Sequence, residues 1–315
     1  MDALATLLYD SRAHGAMFCR SLMDSPWAVR FANDSPLTLL TMPSGAGWVL
    51  PDDGAPVRLD TGAAAIVRGP APFTVACSPD SVPRVVVLAE DRCTDELGRD
   101  LSESTRLGHR TWGDRPDAES VLLTAGYQLR EDISAHLLAT LPHVVVVPAD
   151  LADCPLMLML LAEMAVDRAG QQVFLDRLLD LLLVSTLRTW FDGLGPDAPA
   201  WYRALGDPVI AHALRLVHDD PAHTWTVGEL ASRTGVSRAG FAQRFTRVVG
   251  ETPMAYVTGW RVSLAADLLR RTDDTVAAIA RRVGYSDGYA LSAAFTRLRG
   301  TRPGEFRRQA AAASA

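Results

Sequence analysis

Between Thr226 and Arg308 the chain says nearly the same thing twice. Thr226-Val-Gly-Glu-Leu-Ala231-Ser-Arg233-Thr-Gly235-Val-Ser237 matches Thr275-Val-Ala-Ala-Ile-Ala280-Arg-Arg282-Val-Gly284-Tyr-Ser286 at a separation of 49. Beyond it the separation becomes 50, pairing Phe245 with Phe295, Arg247 with Arg297, Gly250 with Gly300 and Pro253 with Pro303. A self-match this dense marks a duplicated structural unit. Each copy reads as helix, glycine turn, helix. Thr226 is a predicted N-cap, with Glu229 placed to close a capping box. Gly235 suits a left-handed C-cap, and Ser237 starts a second helix reaching about Val248. Phe241, Phe245 and Val248 recur at spacings of four and three and face inward. The second copy repeats the plan through Thr275, Ile279, Ala280, Gly284, a cap at Ser286 or Asp287, Leu291 and Phe295. Between the copies, Pro253 to Arg271 reads as one long helix with a stripe of Tyr256, Trp260, Leu264 and Leu268. Two short helices on a glycine turn also describe plain bundle packing. Duplication, with arginine late in each second helix, favours a reader of nucleic acid.

Gly284-Tyr-Ser-Asp287, Phe295-Thr-Arg297 and Gly300-Thr-Arg-Pro303-Gly-Glu-Phe306-Arg307 resemble the signature of the AraC/XylS transcription regulators. The resemblance covers about Gly206 to Arg308. It implies seven helices forming two helix-turn-helix units, about 226–249 and 275–299, held apart by the long helix. A rigid connector would set two recognition helices in successive major-groove turns, about 34 Å apart. Carried over by position, the base-reading residues are Arg238, Ala239, Ala242 and Gln243, then Gly288, Tyr289, Ser292 and Ala293. Gln243 can pair with adenine and Arg238 with guanine. Arg244, Arg247, Arg297 and Arg299 are expected on phosphates, which position without specifying. Gly288 and Ala293 stand where longer polar side chains are usual in the family, so the second copy is expected to read shape or a thymine methyl.

Charge divides the chain the same way. From Gly206 onward 15 arginines face 10 acidic residues, a net of +5; residues 1–205 hold 16 against 27, a net of −11, and lysine is absent. A basic third of this kind is the electrostatic footprint of a phosphate-binding module. A length of 315 residues suits two domains.

The amino-terminal part is predicted to be strand-rich. Short β-prone runs at Trp27–Phe31, Leu37–Met42, Gly47–Leu50, Pro56–Leu59 and Ala64–Val67 alternate with turn clusters, Asp52-Asp53-Gly54 giving a hairpin signal. Leu59 to Val67 followed by Gly69-Pro70 resembles the second half of a cupin barrel, a domain AraC-family proteins often carry in front. Cupin metal ligands are missing: no histidine lies near Ser44–Trp48, and Phe73 follows Pro70-Ala-Pro72. No metal, cofactor or catalytic residue is therefore expected. What remains is a barrel interior for a small ligand, with Trp27, Phe31, Trp48 and Phe73 as candidate lining or simply core aromatics. Residues 78–120 read as a long polar loop apart from a strand at Val85–Leu88, with His109 a surface residue. Strands resume at Val121–Leu129 and Val144–Val147. From Pro155 the period becomes helical: Leu156–Arg168 and Gln171–Trp190 form a hairpin whose broad apolar face packs on the barrel or makes a two-fold dimer contact.

Cys19, Cys77, Cys93 and Cys154 form no CxxC pair. Met1-Asp-Ala-Leu4, Cys19 and the Trp225-Thr-Val-Gly-Glu-Leu-Ala-Ser stretch resemble the reactive-chlorine-responsive subgroup of the family, which senses oxidants through cysteines of the cupin-like domain. Leu122 or its neighbours occupy the second sensing position, so Cys77 or Cys93 stand as substitute resolving thiols; the alternative is that these cysteines are small buried hydrophobes.

These features together define an α+β chain: residues 1–192 a cupin-like sensing and dimerisation domain, 193–206 a linker, 207–309 an AraC-type DNA-binding domain. The expected function is a dimeric transcription regulator of double-stranded DNA, an activator working with RNA polymerase and controlled by a small molecule or oxidant. Without a signal peptide or an apolar run long enough to span a membrane, it is expected in the cytoplasm. The alternative is a cupin-type enzyme or adaptor fused to a DNA-binding module.

Overall fold

The structure is a computed structural model that describes residues 18–88, 92–108, 110–127, 137–148, 155–164 and 168–313. Cys154 and His109 lie outside the described residues. The described residues separate near Gly193–Leu194 into two units, with Leu137 grouped with the second.

The first unit holds β1 (Phe18–Met23), β2 (Ala28–Ala32), β3 (Leu37–Ser44), β4 (Gly47–Pro51), β5 (Val57–Leu59), β6 (Ala64–Arg68), β7 (Phe73–Ala76), β8 (Val85–Leu88), β9 (Cys93–Thr94), β10 (Arg106–Gly108), β11 (Thr111–Gly113), β12 (Ser120–Tyr127) and β13 (Val144–Val147), most of them short runs rich in β-branched and apolar residues. One sheet has the order β10-β11-β1-β12-β3-β6-β13, the other β5-β4-β7-β2-β8-β9. Leu40, Met42, Val49, Leu59, Val75 and Leu122 lie fully buried in the core they share. The Asp52-Asp53-Gly54 hairpin is present, β4 pairing antiparallel with β5 through Trp48 opposite Arg58. Gly45 turns β3 into β4 at φ +76, and a Cβ there would come 2.8 Å from Ser120 Oγ, so both backbone and space demand glycine.

The polar stretch predicted as a loop over 78–120 carries three further strands, β9 to β11. Each is two or three residues long, and only Cys93 and Trp112 are buried along them. Their polarity hid them, because pairing with β8 and β1 supplies the backbone partners that apolar alternation usually signals.

α1 (Pro155–Met164) and α2 (Gln171–Leu194) are the two expected helices, their adjoining ends linked by the Gln171 side-chain amide donating to the Glu163 carbonyl. Tyr127, fully buried at the end of β12, donates to the Leu179 carbonyl at 2.8 Å and ties α2 to the sheet. Leu175, Leu178, Leu182 and Leu187 are buried, while Val173, Phe174 and Leu181 on α2 and Leu158 and Met159 on α1 are exposed. The apolar surface of the hairpin is thus split between a covered and an open side.

Over 193–206, read from its Gly and Pro as a linker, the structure has the end of α2, a 3-10 turn at Gly195–Asp197, α3 (Ala200–Arg203) and a second 3-10 turn at Ala204–Gly206. Pro196 and Pro199 sit at helix starts, where a missing N–H costs nothing. Trp201 and Ala204 are buried.

The rest is helical: α4 (Pro208–Asp219), α5 (Val227–Arg233), α6 (Arg238–Val249), α7 (Pro253–Arg271), α8 (Val276–Arg282), α9 (Gly288–Arg299) and α10 (Pro303–Ala313). Two cores flank α7. One holds Ile210, Leu214, Leu230, Phe241, Phe245 and Val257; the other holds Val262, Leu269, Ile279, Leu291 and Phe295. The predicted stripe of Tyr256, Trp260, Leu264 and Leu268 is only half-buried; Val257, Val262, Ala265, Ala266 and Leu269 form the covered face, because α7 packs against neighbours on two sides.

Candidate nucleic-acid interface

Local chemistry builds the same unit twice. Thr226 Oγ1 accepts from the Glu229 N–H and Thr275 Oγ1 from the Ala278 N–H, each at 3.2 Å. The predicted capping box closes on one side only. Glu229 sends its carboxylate to His223 Nε2 at 2.8 Å rather than back to the cap. Gly235 (φ +73) and Gly284 (φ +88) end α5 and α8. In each, the next residue's N–H reaches back to the alanine of the inner face, Val236 to Ala231 and Tyr285 to Ala280. Ser237 then caps α6, accepting from the Gly240 N–H. In the second copy Asp287 is the cap, accepting from Tyr289 and Ala290 at 2.9 and 2.8 Å. Ser286 is therefore one extra turn residue, and it accounts for the register change from 49 to 50. Phe241, Phe245, Leu291 and Phe295 anchor the pairs inside. Truncating one to alanine costs about 2–5 kcal/mol.

With those faces buried, the outward side of α6 presents Arg238, Ala239, Gln243, Thr246 and Arg247, all exposed, with Ala242 half-buried. On α9 the matching side presents Tyr289, Ala293, Thr296 and Arg297, with Tyr289 86% exposed. Other candidates are placed differently. Arg244 does not project freely: its Nε donates to Asp207 Oδ2 at 2.7 Å, and the same carboxylate caps α4 through Val209 and Ile210. Burial raises the Asp207 pKa, but the Arg244 guanidinium and the two backbone N–H groups outweigh it and hold the carboxyl below its usual range. Ser292 Oγ is turned onto the Gly288 carbonyl at 2.7 Å, and Arg299 reaches Ser263 Oγ at 3.4 Å. A Cβ on Gly288 would lie 3.4–3.5 Å from the Ala277 backbone, so this position backs onto α8.

α7 carries the clamp between the two units. Arg261 donates from Nε to the Pro221 carbonyl and from Nη2 to the His223 carbonyl, at 2.8 and 2.7 Å, and lies over the Tyr285 ring. Burial pulls its pKa below the ordinary arginine value. Arg307 from α10 closes the far end, donating to the carbonyls of Leu269 and Asp274.

In the first unit a cavity of about 340 Å³ opens between the two sheets. Of the four predicted lining aromatics only Phe31 reaches it. Phe73 stacks on Phe31 at 5.0 Å, Trp27 donates its indole N–H to Ser120 Oγ, and both are spent on the core; Trp48 is half-buried under the Arg58 guanidinium. The cavity is lined instead by Thr38, Thr124, Arg106, Arg110 and Trp112, together with Cys19 and Cys93. Sequence reading missed the five: Arg106, Arg110 and Trp112 sit in the polar stretch read as a loop, while Thr38 and Thr124 are polar residues within otherwise apolar strands, Thr124 standing opposite Cys19 across β1 and β12. Cys77 lies elsewhere, with the Trp27 N–H and the Ser25 and Ser81 hydroxyls around its sulfur. Burial pushes that thiol up, yet these hydrogen bonds carry it below its ordinary value. Among the described residues no group of three or more His, Cys, Asp or Glu gathers as a metal site, and no helix is long and apolar enough to cross a membrane.

Residues 2–192 match a family profile described as Cupin, and residues 230–309 one described as Helix-turn-helix domain. A putative AraC-like transcription regulator of Streptomyces antibioticus is 31% identical over 313 residues, 98% of this chain and 99% of its own. Another, from Streptomyces lividans, is 32% identical over 317 residues, 98% of each chain. The RCS-specific HTH-type transcriptional activator RclR of Escherichia coli K12 is 40% identical over 100 residues, 32% of this chain and 35% of its own.

Proposed function

The chain belongs to the AraC-like transcription regulators that carry a cupin domain ahead of a helix-turn-helix module, and we propose that α6 and α9 read two successive major-groove turns of one DNA site. The observation that carries this is the pair of twelve-residue helices with equivalent exposed faces, joined through α7 and the Arg261 clamp. Arg238 and Gln243 are the base readers of the first helix, assisted by Ala239 and Ala242. Tyr289 and Ala293 give the second a more apolar face, suited to thymine methyls and groove shape. Gly288 and Ser292 are spacers there rather than donors. Arg247 and Arg297 take phosphates.

Residues 1–192 sense the effector and dimerise, 193–206 connect, and 207–309 bind DNA. The effector is a small molecule or oxidant met at the cavity where Cys19 and Cys93 stand; Cys77 is the alternative thiol. RclR is named as an activator, and activation through RNA polymerase in the cytoplasm is the working mode. The relatives matched over their whole length are named as regulators, which supports a non-catalytic cupin domain.

Selection of bound fragments from random DNA tests the reading. Two half-elements one helical turn apart, bound with a steep loss of affinity as salt rises, are expected. A single element, or none, overturns it. The same titration with hypochlorous acid, on wild type and Cys19→Ser, reads the oxidant arm.

A further inference from the structure

We propose that the cavity between the two sheets binds a small organic carboxylate, held by the Arg110 guanidinium and the Trp112 indole N–H. This deepens, and rests on, the reading of the amino-terminal domain as a sensor. Arg110 Nη1 and Trp112 Nε1 are both buried, and neither has an acceptor among the described residues. Both side chains line the cavity, and Trp112 is only 8% exposed. Buried donors are nearly always satisfied, so two orphans on one cavity point to a missing acceptor.

The remaining lining narrows that acceptor. Arg106 adds a second guanidinium, the described lining residues include no aspartate or glutamate, and Thr38 and Thr124 stand on its walls. Among the described lining residues an anion meets two guanidinium groups and no carboxylate. A carboxylate accepts at both oxygens, so one group can serve a guanidinium and an indole N–H together. Phe31, Val87 and the Trp112 ring supply apolar wall, which suits a hydrocarbon body rather than a bare inorganic ion. Arg110 itself is held at φ +52, a left-handed conformation unfavourable for a side chain this large, in the turn that aims it at the cavity.

The test uses the full-length protein without DNA. Benzoate and octanoate are titrated against benzamide and inorganic phosphate at constant ionic strength, with melting temperature and tryptophan fluorescence as readouts. Saturable stabilisation by at least one carboxylate, none by benzamide, and binding weakened by about tenfold or more in Arg110→Gln are expected. Trp112→Phe keeps an aromatic wall but removes the N–H together with the five-membered part of the indole; it should also weaken binding, and it serves if Arg110→Gln fails to fold. No binding of either carboxylate, equal effects of benzamide or phosphate, or unchanged affinity in the folded variants would overturn the assignment. Fragment selection on the probe-free protein reports separately on the regulator assignment.

Discussion

A methyl group placed on Gly284 would stand 2.8 Å from the Cα and 2.8 Å from the carbonyl oxygen of Ala222. Gly284 is the turn glycine of the second helix-turn-helix unit, and Ala222 lies in the loop entering the first. Gly235, its counterpart in the first unit, has nothing within 4 Å of that point. The two glycines share a backbone conformation, but only one also serves as a docking surface. Arg261 fixes the same contact from α7, since its two carbonyl acceptors flank Ala222. The spacing of α6 and α9 is thereby set by packing as well as by α7.

Gly284→Ala and Gly235→Ala should separate those roles. Forcing alanine into the left-handed region costs each variant about 1–2 kcal/mol. Gly284→Ala alone must also displace the Ala222 backbone. It should therefore melt lower than Gly235→Ala and lose more affinity for a two-element site than for either half alone. Equal melting temperatures and parallel losses on whole and half sites would show that the contact does not set the spacing.

Arg244 was a phosphate candidate by position, and its bond to Asp207 predicts a different phenotype. Arg244→Ala should cost about 1 kcal/mol or less of stability and leave the salt dependence of DNA binding unchanged. The pH sign follows from Asp207. Its folded pKa lies below the ordinary 3.8, so the stabilisation is complete above that value and disappears as pH falls through the lower folded one. Asp207→Asn retains a capping side chain but not the charge. Its deficit against wild type should be constant near neutrality and shrink in acid unfolding. A deficit that widens on acidification would contradict this.

Local rules made the carboxyl-terminal unit legible. Thr226, Thr275, Gly235, Gly284 and the inward phenylalanines each specify a cap, turn or core position within a few residues, and duplication repeats the signal. Pro253 and Arg271 bound α7 as expected. Ser286 explains a register shift that the sequence displayed without a cause. The cavity was not legible. Aromatic residues drew attention because they are large and apolar, yet Trp27 and Phe73 fill the core for that very reason. The cavity walls come from Thr38, Thr124 and Arg110, whose inward placement depends on pairing between strands distant in sequence. Over 193–206 the prolines that suggested a connecting segment stand at the starts of a 3-10 turn and of α3, because Pro at a helix start looks like Pro in a linker.

The open side of the helical hairpin predicts self-association. Val173, Phe174 and Leu181 expose apolar surface along α2, and Leu158 and Met159 do so on α1. Patches of this kind on a single chain mark interaction sites. Wild type is expected to sediment as a dimer and the double variant Phe174→Asp, Leu181→Asp as a monomer that keeps its helical circular dichroism, because neither side chain is buried within the chain. A dimer that survives the double variant would place the contact elsewhere.

Gln243 and Arg247 stand one turn apart on α6, and the reading of this helix turns on their difference. A side-chain amide presents a donor and an acceptor in fixed geometry, which matches the adenine edge and no other base. Gln243→Ala should therefore cost about 1–3 kcal/mol on the selected site and relax preference at one base position. Arginine on a phosphate is indifferent to sequence but releases a counterion. Arg247→Ala should weaken every DNA fragment alike and lower the log-log salt slope by about 1. Repeating the fragment selection and salt titration with each variant distinguishes them directly. A base-selective loss at Arg247, or a uniform one at Gln243, would exchange their roles and rotate α6 in the groove by about 40°, the net offset of four residues at about 100° each.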